Sequence, residues 1–348
     1  MKLYNLGKRT WEESQLIYHA LARLGREALC LVSPATPYVC IGFHQDVLQE
    51  VDLDFCRSAG IPVFRREVGG GAVYLDGKQL FFQLILHRKN PAAPPGKESF
   101  YRKFLKPVIE VYRRIGIAAE YKPVNDIVVG GRKISGTGAG EIEDCIVFVG
   151  NLIVDFDFEM MCRVLKVPDE KFRDKVHKSL ASNLTTIRRE LGSGAREWSE
   201  DRLNGMMAEA FQALLCPMAP DVIDEPLREE VNRLREWMTT EEWLFRKGRK
   251  RAGRDVVIRS GTKILHRIHK AKGGLIRADF EVSDGRFRQV AISGDFFCFP
   301  QSAVSSLESI LEGRAVGDAG IALRDFYSGG AVETPGIEVE DWLAVLKG

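Results

Sequence analysis

The segment Arg65-Arg66-Glu67-Val68-Gly69-Gly70-Gly71-Ala72-Val73-Tyr74-Leu75-Asp76 restricts the fold more than any other stretch. Glycine gives up more conformational freedom on folding than any other residue. Three in a row therefore call for a sharp bend or a close approach to a ligand. A strand over residues 62–66 is expected to deliver both arginines to that bend. Positive charge beside backbone N–H groups suits an anion such as phosphate. A glycine-rich hairpin with incidental surface arginines satisfies the same residues, so the segment alone leaves both readings open.

Length and composition set the context. A chain of 348 residues accommodates roughly two domains. Its 45% hydrophobic and 28% charged residues are those of an ordinary globular protein, and a net charge of +2 gives no general attraction to nucleic acid or membrane. The seven cysteines are scattered, with no Cys-x-x-Cys pair, so reduced thiols are expected rather than a disulfide framework or zinc site. Residues 1–7 lack an apolar signal core, and no run approaches the length of a membrane span. A cytoplasmic protein is expected.

Local patterns place the elements. Thr10-Trp11-Glu12-Glu13 has the form of a capping box and opens a helix ending near Gly25. Residues 28–32 and 38–41 read as strands and residues 52–58 as a short helix. Residues 72–75 and 79–86, joined through Asp76-Gly77, read as a hairpin. After a proline-rich loop over 87–97, Phe100, Phe104, Val108 and Tyr112 recur at helical spacing. A second hairpin is expected where 126–129 and 132–135 flank Gly130-Gly131, and the apolar run 145–154 reads as a buried strand. Helices dominate residues 158–242, and a basic, glycine-containing stretch over 246–254 reads as a linker. Short strands near 255–259, 263–268, 275–282 and 286–292 follow, then helices near 300–311 and 337–346. Because strands and helices cluster rather than alternate, the class is α+β.

The second informative segment is Asn125-Asp126-Ile127-Val128-Val129-Gly130-Gly131-Arg132-Lys133-Ile134-Ser135-Gly136. A lysine two residues past a Gly-Gly turn, at the start of a strand, is firmly placed. Its ammonium can hold a phosphate or polarise a carbonyl as a point charge. A solvated hairpin lysine is the plain alternative. The spacing here fits neither a Walker loop nor a Rossmann Gly-x-Gly-x-x-Gly.

Together these segments resemble the lipoate–protein ligase family, within the lipoyl/octanoyl transferase and biotin ligase fold group. Val39-Cys40-Ile41-Gly42-Phe43-His44-Gln45 is similar to that family's strand ending in Ile-Gly-x-x-Gln. The Arg-Arg-x-x-Gly-Gly-Gly-Ala-Val-Tyr-x-Asp loop resembles its signature, and the Lys133 segment its lysine motif. Lys178-Ser179-Leu180-Ala181-Ser182-Asn183-Leu184-Thr185 and Glu242-Trp243-Leu244-Phe245 resemble two further stretches, all in the same order. Gly274–Ile276, Gly285–Phe287 and Ile292–Phe296 resemble the accessory C-terminal domain of full-length ligases.

The resemblance implies a catalytic domain like those of class II aminoacyl-tRNA synthetases and biotin ligases over residues 1–245. It further implies a linker over 246–254 and a small α+β domain over 255–348. It implies that lipoate and ATP give lipoyl-AMP and pyrophosphate, and that the lipoyl group then passes to a lysine of an acceptor. Expected acceptors are a lipoyl domain, a glycine-cleavage H protein or another lipoate-carrying protein. Lys133 is then the catalytic candidate, touching acyl oxygen and α-phosphate. Arg66, Gly69, Gly70, Gly71, Ala72, Val73, Tyr74, Asn125 and Asp126 are candidates for the nucleotide. Val39, Ile41 and Val73 are candidates for lining the lipoate slot, and Asp126 for Mg²⁺. Two departures stand out: Leu75 replaces a frequent histidine, and Phe148-Val149-Gly150-Asn151 a His-Gly-Thr-like stretch.

Two alternatives compete. An ATP-independent octanoyl or lipoyl transferase on the same fold needs a nucleophilic cysteine. Cys145, inside the apolar run, is a poor one because burial raises a thiol pKa. A nucleic-acid-binding role for the six basic residues over 246–254 competes with a solvated linker, and no nucleic-acid partner is expected. His266 and His269, three apart on a strand, face opposite sides, so no structural metal is assigned.

Overall fold

The computed structural model describes residues 1–94, 96–167, 170–247, 256–259 and 262–347. The chain divides into two compact units. The first is Met1–Cys40, Asp52–Phe64 and Val73–Thr240; the second is Ile41–Val51, Arg65–Ala72 and Glu241–Gly348. Most of the basic stretch read as a linker lies outside the described residues.

The first unit is built on a six-stranded sheet. Its strand order is Thr137–Ile142, Cys145–Ile153, Gln79–His87, Ala28–Pro34, Lys2–Arg9 and Ala219–Pro220. Gln79–His87 is a central strand and pairs antiparallel with the interior strand Cys145–Ile153, second from the edge, from Gln79↔Ile153 to His87↔Cys145. The near-continuous apolar run of each follows from having cover on both faces. The helix Trp11–Arg23 starts where expected, with Thr10 Oγ1 accepting from the Glu13 N–H at 3.2 Å. The helix Lys97–Arg114 buries Phe100, Phe104, Val108 and Tyr112, one face of a 3.6-residue period. Its ring edges meet the sheet through Phe148, 5.8 Å from Phe100 and 5.6 Å from Phe82 between centroids.

The expected hairpin of residues 72–86 does not form. Val73–Leu75 pairs antiparallel with Tyr38–Cys40 in a separate three-stranded sheet, whereas Gln79–His87 enters the central sheet. Asp76-Gly77 carries the chain from one sheet to the other. The longer strand, apolar except for Gln79, Gln83 and His87 and buried over all but its last residue, gains more by that burial than by a local turn. The hairpin at Gly130-Gly131 is present, with φ of 52° and 79° at the two glycines and Val129 opposite Arg132. Two consecutive positive φ values are what a two-residue turn of this hand needs.

In the second unit an antiparallel sheet runs Val256–Arg259, Thr262–Ala271, Gly274–Ser283, Arg286–Gly294. Gly274–Ser283 alternates buried and half-buried residues, so one face carries the core. Ile276, Ala278, Phe280, Phe287 and Ile292 pack with Leu307 and Leu311 of the helix Ala303–Leu311 and with Trp342 of Val339–Val345. A helix at Ala319–Tyr327, absent from the sequence-based expectation, completes this core with Ala322, Leu323 and Phe326. His266 meets Asp279 and His269 meets Asp341.

Candidate functional site

Lys133 is placed by three constraints within the first unit. It follows the Gly130-Gly131 turn on the strand Arg132–Ser135. Its backbone carbonyl accepts from the Thr185 N–H at 2.8 Å, where Lys133 and Leu184 form a parallel bridge. The neighbouring Ile134 carbonyl accepts from the buried Tyr112 hydroxyl at 2.8 Å. The residues resembling the downstream Lys-Ser-x-x-Ser stretch thus end, at Leu184-Thr185, against the lysine strand. The Lys133 ammonium lies 2.7 Å from Asp126 Oδ1, with both side chains about one-third exposed (37% and 30%). Asn125 faces the start of the next strand: its Nδ2 donates to the Thr137 carbonyl at 2.6 Å, and Thr137 Oγ1 donates back to the Asn125 carbonyl.

The residue pair at the chain's second departure, Gly150-Asn151, supports this strand. Asn151 Oδ1 accepts from the Gly136 N–H at 2.8 Å, and the Asn151 carbonyl accepts from Ser135 Oγ at 2.6 Å. Asn151 Nδ2 donates to Gln79 Oε1 at 2.7 Å, and Gln79 Nε2 donates to the Tyr74 carbonyl at 3.2 Å. An amide relay therefore joins Tyr74 to the strand that carries Lys133. Asn151 lies in a stretch that departs from the family pattern, but its pairing with Gln79 is not readable from the sequence, because an asparagine and a glutamine 72 positions apart carry no spacing signal.

The glycine loop belongs to the second unit. Arg66 Nη2 donates to the Gly69 and Gly71 carbonyls at 2.8 and 3.0 Å, so its guanidinium closes the loop on itself. Gly70 has φ of 91°, a conformation that side chains avoid. Gly69 and Gly70 are buried, with the Gly70 N–H donating to the Phe296 carbonyl at 3.2 Å, whereas Gly71, Ala72 and Val73 are half-buried. Of the three glycines, only Gly71 retains solvent exposure.

Arg65 corrects the expectation that both arginines present charge to an anion. It is fully buried, and its guanidinium donates to backbone carbonyls of Gly42, Phe43, Gln45, Trp243 and Leu244. Adjacent strand residues point to opposite faces, so one arginine turns inward and its neighbour toward the loop. Val39 and Ile41, expected to line an acyl slot, have no exposure; Val73 is half-buried. Burial lifts the Tyr74 hydroxyl to about 12, so it stays neutral.

Metal and thiol chemistry are constrained too. Among the described residues no group of three or more His, Cys, Asp or Glu side chains could hold a metal ion. A Mg²⁺ at Asp126 would have to complete its shell with other oxygen ligands, such as phosphate and water, an arrangement that ion commonly adopts. Six of the seven cysteines are buried, and burial pushes the Cys145 thiol up, away from the reactive thiolate.

A model of the lipoyl protein ligase A/B catalytic domain matches residues 10–212. The chain belongs to that family. Lipoate-protein ligase LplJ of Bacillus subtilis is 30% identical over 291 residues, covering 80% of this chain and 78% of that one. Octanoyltransferase LipM of Kyrpidia tusciae is 23% identical, over 61% of this chain and 84% of its own. Among solved structures, a bipartite lipoate protein ligase of Thermoplasma acidophilum, studied with its E2 lipoyl domain, is 27% identical. Its TM-score is 0.64, covering 72% of this chain and 98% of that one. Lipoate-protein ligase A bound with ATP is 25% identical, TM-score 0.58, over 70% and 98%. The α+β fold is that of these ligases. No described helix is long and apolar enough to cross a membrane.

Proposed function

We propose that the chain is an ATP-dependent lipoate–protein ligase. The observation that carries the reading is Lys133, an ammonium held by a hairpin, by Thr185 and by Tyr112 through Ile134, in a family whose relatives include LplJ. In the first step a lipoate carboxylate oxygen attacks the α-phosphorus of ATP. The bond to the β-phosphate bridge breaks, and pyrophosphate leaves. Two anions approach in that step, so a preorganised cation at the reacting oxygens lowers the barrier. Lys133 supplies it, exchanging its contact with Asp126 for the acyl oxygen and α-phosphate. In the second step the neutral ε-amine of an acceptor lysine attacks the acyl carbon. The bond to AMP breaks and the amine loses a proton. Lys133 then offsets the charge that returns to the AMP phosphate.

Asn125 and Asp126 organise the nucleotide, and Asp126 would hold Mg²⁺, which arrives with the triphosphate and neutralises part of its charge. Gly71, Ala72 and Val73 offer the half-buried backbone along which the nucleotide lies, and Arg66 keeps that loop closed. The acceptor is a lipoyl domain or a similar lipoate-carrying protein, as the partner named for the Thermoplasma ligase suggests. Octanoyl transfer is the reading that the likeness to LipM favours. The buried Cys145 thiol is ill suited to the acyl-enzyme that such transfer requires.

The test is incubation with lipoate, ATP and a lipoyl domain. Pyrophosphate release that needs both small molecules, with a gain of one lipoyl group on the intact acceptor, is the expected result. Acyl transfer from an acylated carrier protein without ATP would refute it.

A further inference from the structure

We infer that Arg65 is a positioning residue for nucleotide binding, acting through the backbone of the glycine loop rather than by touching the phosphates; this rests on the ligase reading above. Its side chain is fully buried. Nη1 donates to the carbonyls of Gly42, Phe43 and Gln45 at 3.1, 3.0 and 2.6 Å. Nε reaches the Trp243 and Leu244 carbonyls at 3.2 and 3.1 Å, and Nη2 reaches Leu244 at 2.6 Å. Trp243 Nε1 returns a hydrogen bond to the Arg65 carbonyl at 2.8 Å. One planar fork thus holds together three segments far apart in sequence.

Each segment bears on the loop. The Ile41 carbonyl accepts from the Arg66 N–H and the Val68 carbonyl from the Phe43 N–H, both at 3.1 Å, so residues 41–43 run along the loop's first half. A Cβ on Gly42 would lie 1.9 Å from the Gly70 oxygen, a measure of how closely the two backbones approach. Arg65 precedes the loop directly, and its contacts with residues 243 and 244 tie that register to the start of the C-terminal part of the chain. A lysine keeps the charge but offers three donors around one nitrogen, and cannot span carbonyls on both sides. Loss of the fork leaves five carbonyls short of a donor and lets the loop drift, and misplacement by about 1 Å costs on the order of 10²-fold in a binding or reaction step.

The experiment measures adenylate formation by the full chain, as lipoate-dependent ATP–pyrophosphate exchange, for wild type, Arg65→Lys and Trp243→Phe. The ligase reading is judged on the wild type alone, since absence of exchange there defeats it whatever the variants do. Given wild-type exchange, Arg65→Lys should raise KM for ATP about 10-fold or more, with KM for lipoate within about 3-fold. A purely structural role would lower the active fraction and hence kcat, leaving both KM values in place; that result overturns the inference. Trp243→Phe keeps an aromatic ring beside Phe43 and Arg246 while removing the indole N–H that donates to the Arg65 carbonyl, so it covers the case in which Arg65→Lys does not fold. A rise of about 2- to 5-fold in KM for ATP supports the inference, and an unchanged value overturns it.

Discussion

Replacing Gly42 by alanine adds one methyl group where the structure leaves no room for it. The new Cβ would sit 1.9 Å from the Gly70 oxygen, 2.9 Å from the Gly70 carbonyl carbon and 3.2 Å from that of Gly69. All three are backbone atoms, so no rotamer change relieves the overlap. Gly42 is not among the glycines with positive φ, so the constraint is steric and not conformational. Ordinary contact begins at 3.4 Å, hence the loop must retreat by about 1.5 Å, the difference from 1.9 Å. Overpacking of this kind costs about 1–3 kcal/mol of stability. A loop displaced by more than 1 Å should weaken ATP use by on the order of 10²-fold if the shift reaches the nucleotide undiminished. Lipoate-dependent ATP–pyrophosphate exchange at saturating lipoate reads that effect as a rise in KM for ATP, and thermal melting reads the stability cost. A Gly42→Ala protein that melts as wild type does and keeps its KM for ATP within about 3-fold would show that nucleotide binding does not depend on this approach.

Three further outcomes are expected. Lys133→Ala should lower adenylate formation by about 10²–10³-fold, the scale for losing one preorganised charge-stabilising donor; near-normal turnover of folded protein would remove Lys133 from the reaction. Cys145→Ser should leave ligation intact, because the Cys145 thiol is buried and pushed up; abolished acyl transfer with normal melting would favour a cysteine-relay transferase instead. His44 should impose a pH dependence on stability. It is buried with neither ring nitrogen hydrogen-bonded, and burial, then Lys247, Arg246 and Arg65, hold it well below 6.5. Below pH 6.5 the unfolded chain takes up a proton that the folded one refuses, so stability falls as pH falls, by up to about 1.4 kcal/mol per pH unit. His44→Phe should flatten the curve between pH 6.5 and 5, and parallel curves would disprove the assignment.

Much of this architecture is legible from local chemistry. Thr10 with Glu13 marks a helix start because a side-chain oxygen three residues from an orphan N–H has one obvious use. Gly130-Gly131 marks a hairpin because two successive positive φ values exclude nearly everything else. What escapes is whatever long-range pairing decides. Asp76-Gly77 carries a hairpin signal, yet Val73–Leu75 finds its partner at Tyr38–Cys40. The signal describes four residues, and the competing pairing is worth a whole buried strand. The helix Ala319–Tyr327 also escapes: it is 9 residues long, and its packing face is fixed by a core built from distant parts of the chain.

The two arginines carry the same lesson into the site. As neighbours in a motif, they invite a single role, and a count of charges would assign both to phosphate. The pleat separates them: Arg66 closes the glycine loop on its own carbonyls, while Arg65 spends its donors on Gly42, Phe43, Gln45, Trp243 and Leu244. The motif around Ile41-Gly42 and the tryptophan segment, which lie some 20 and 180 residues away, therefore meet the glycine motif through one buried side chain. The lysine motif and the Lys-Ser-x-x-Ser stretch meet separately, through the Lys133 carbonyl and the Thr185 N–H. Of the five ordered resemblances, three meet around the Arg65 guanidinium and two at the Lys133 backbone, with the Asn151–Gln79 relay linking Tyr74 of the glycine motif to the lysine strand. A substitution in a motif that never touches ligand can then act on the ligand through its own group. Such effects should appear as changes in KM for ATP in the arginine group and as changes in the rate of adenylation in the lysine group, because the first shapes a loop and the second holds the charge.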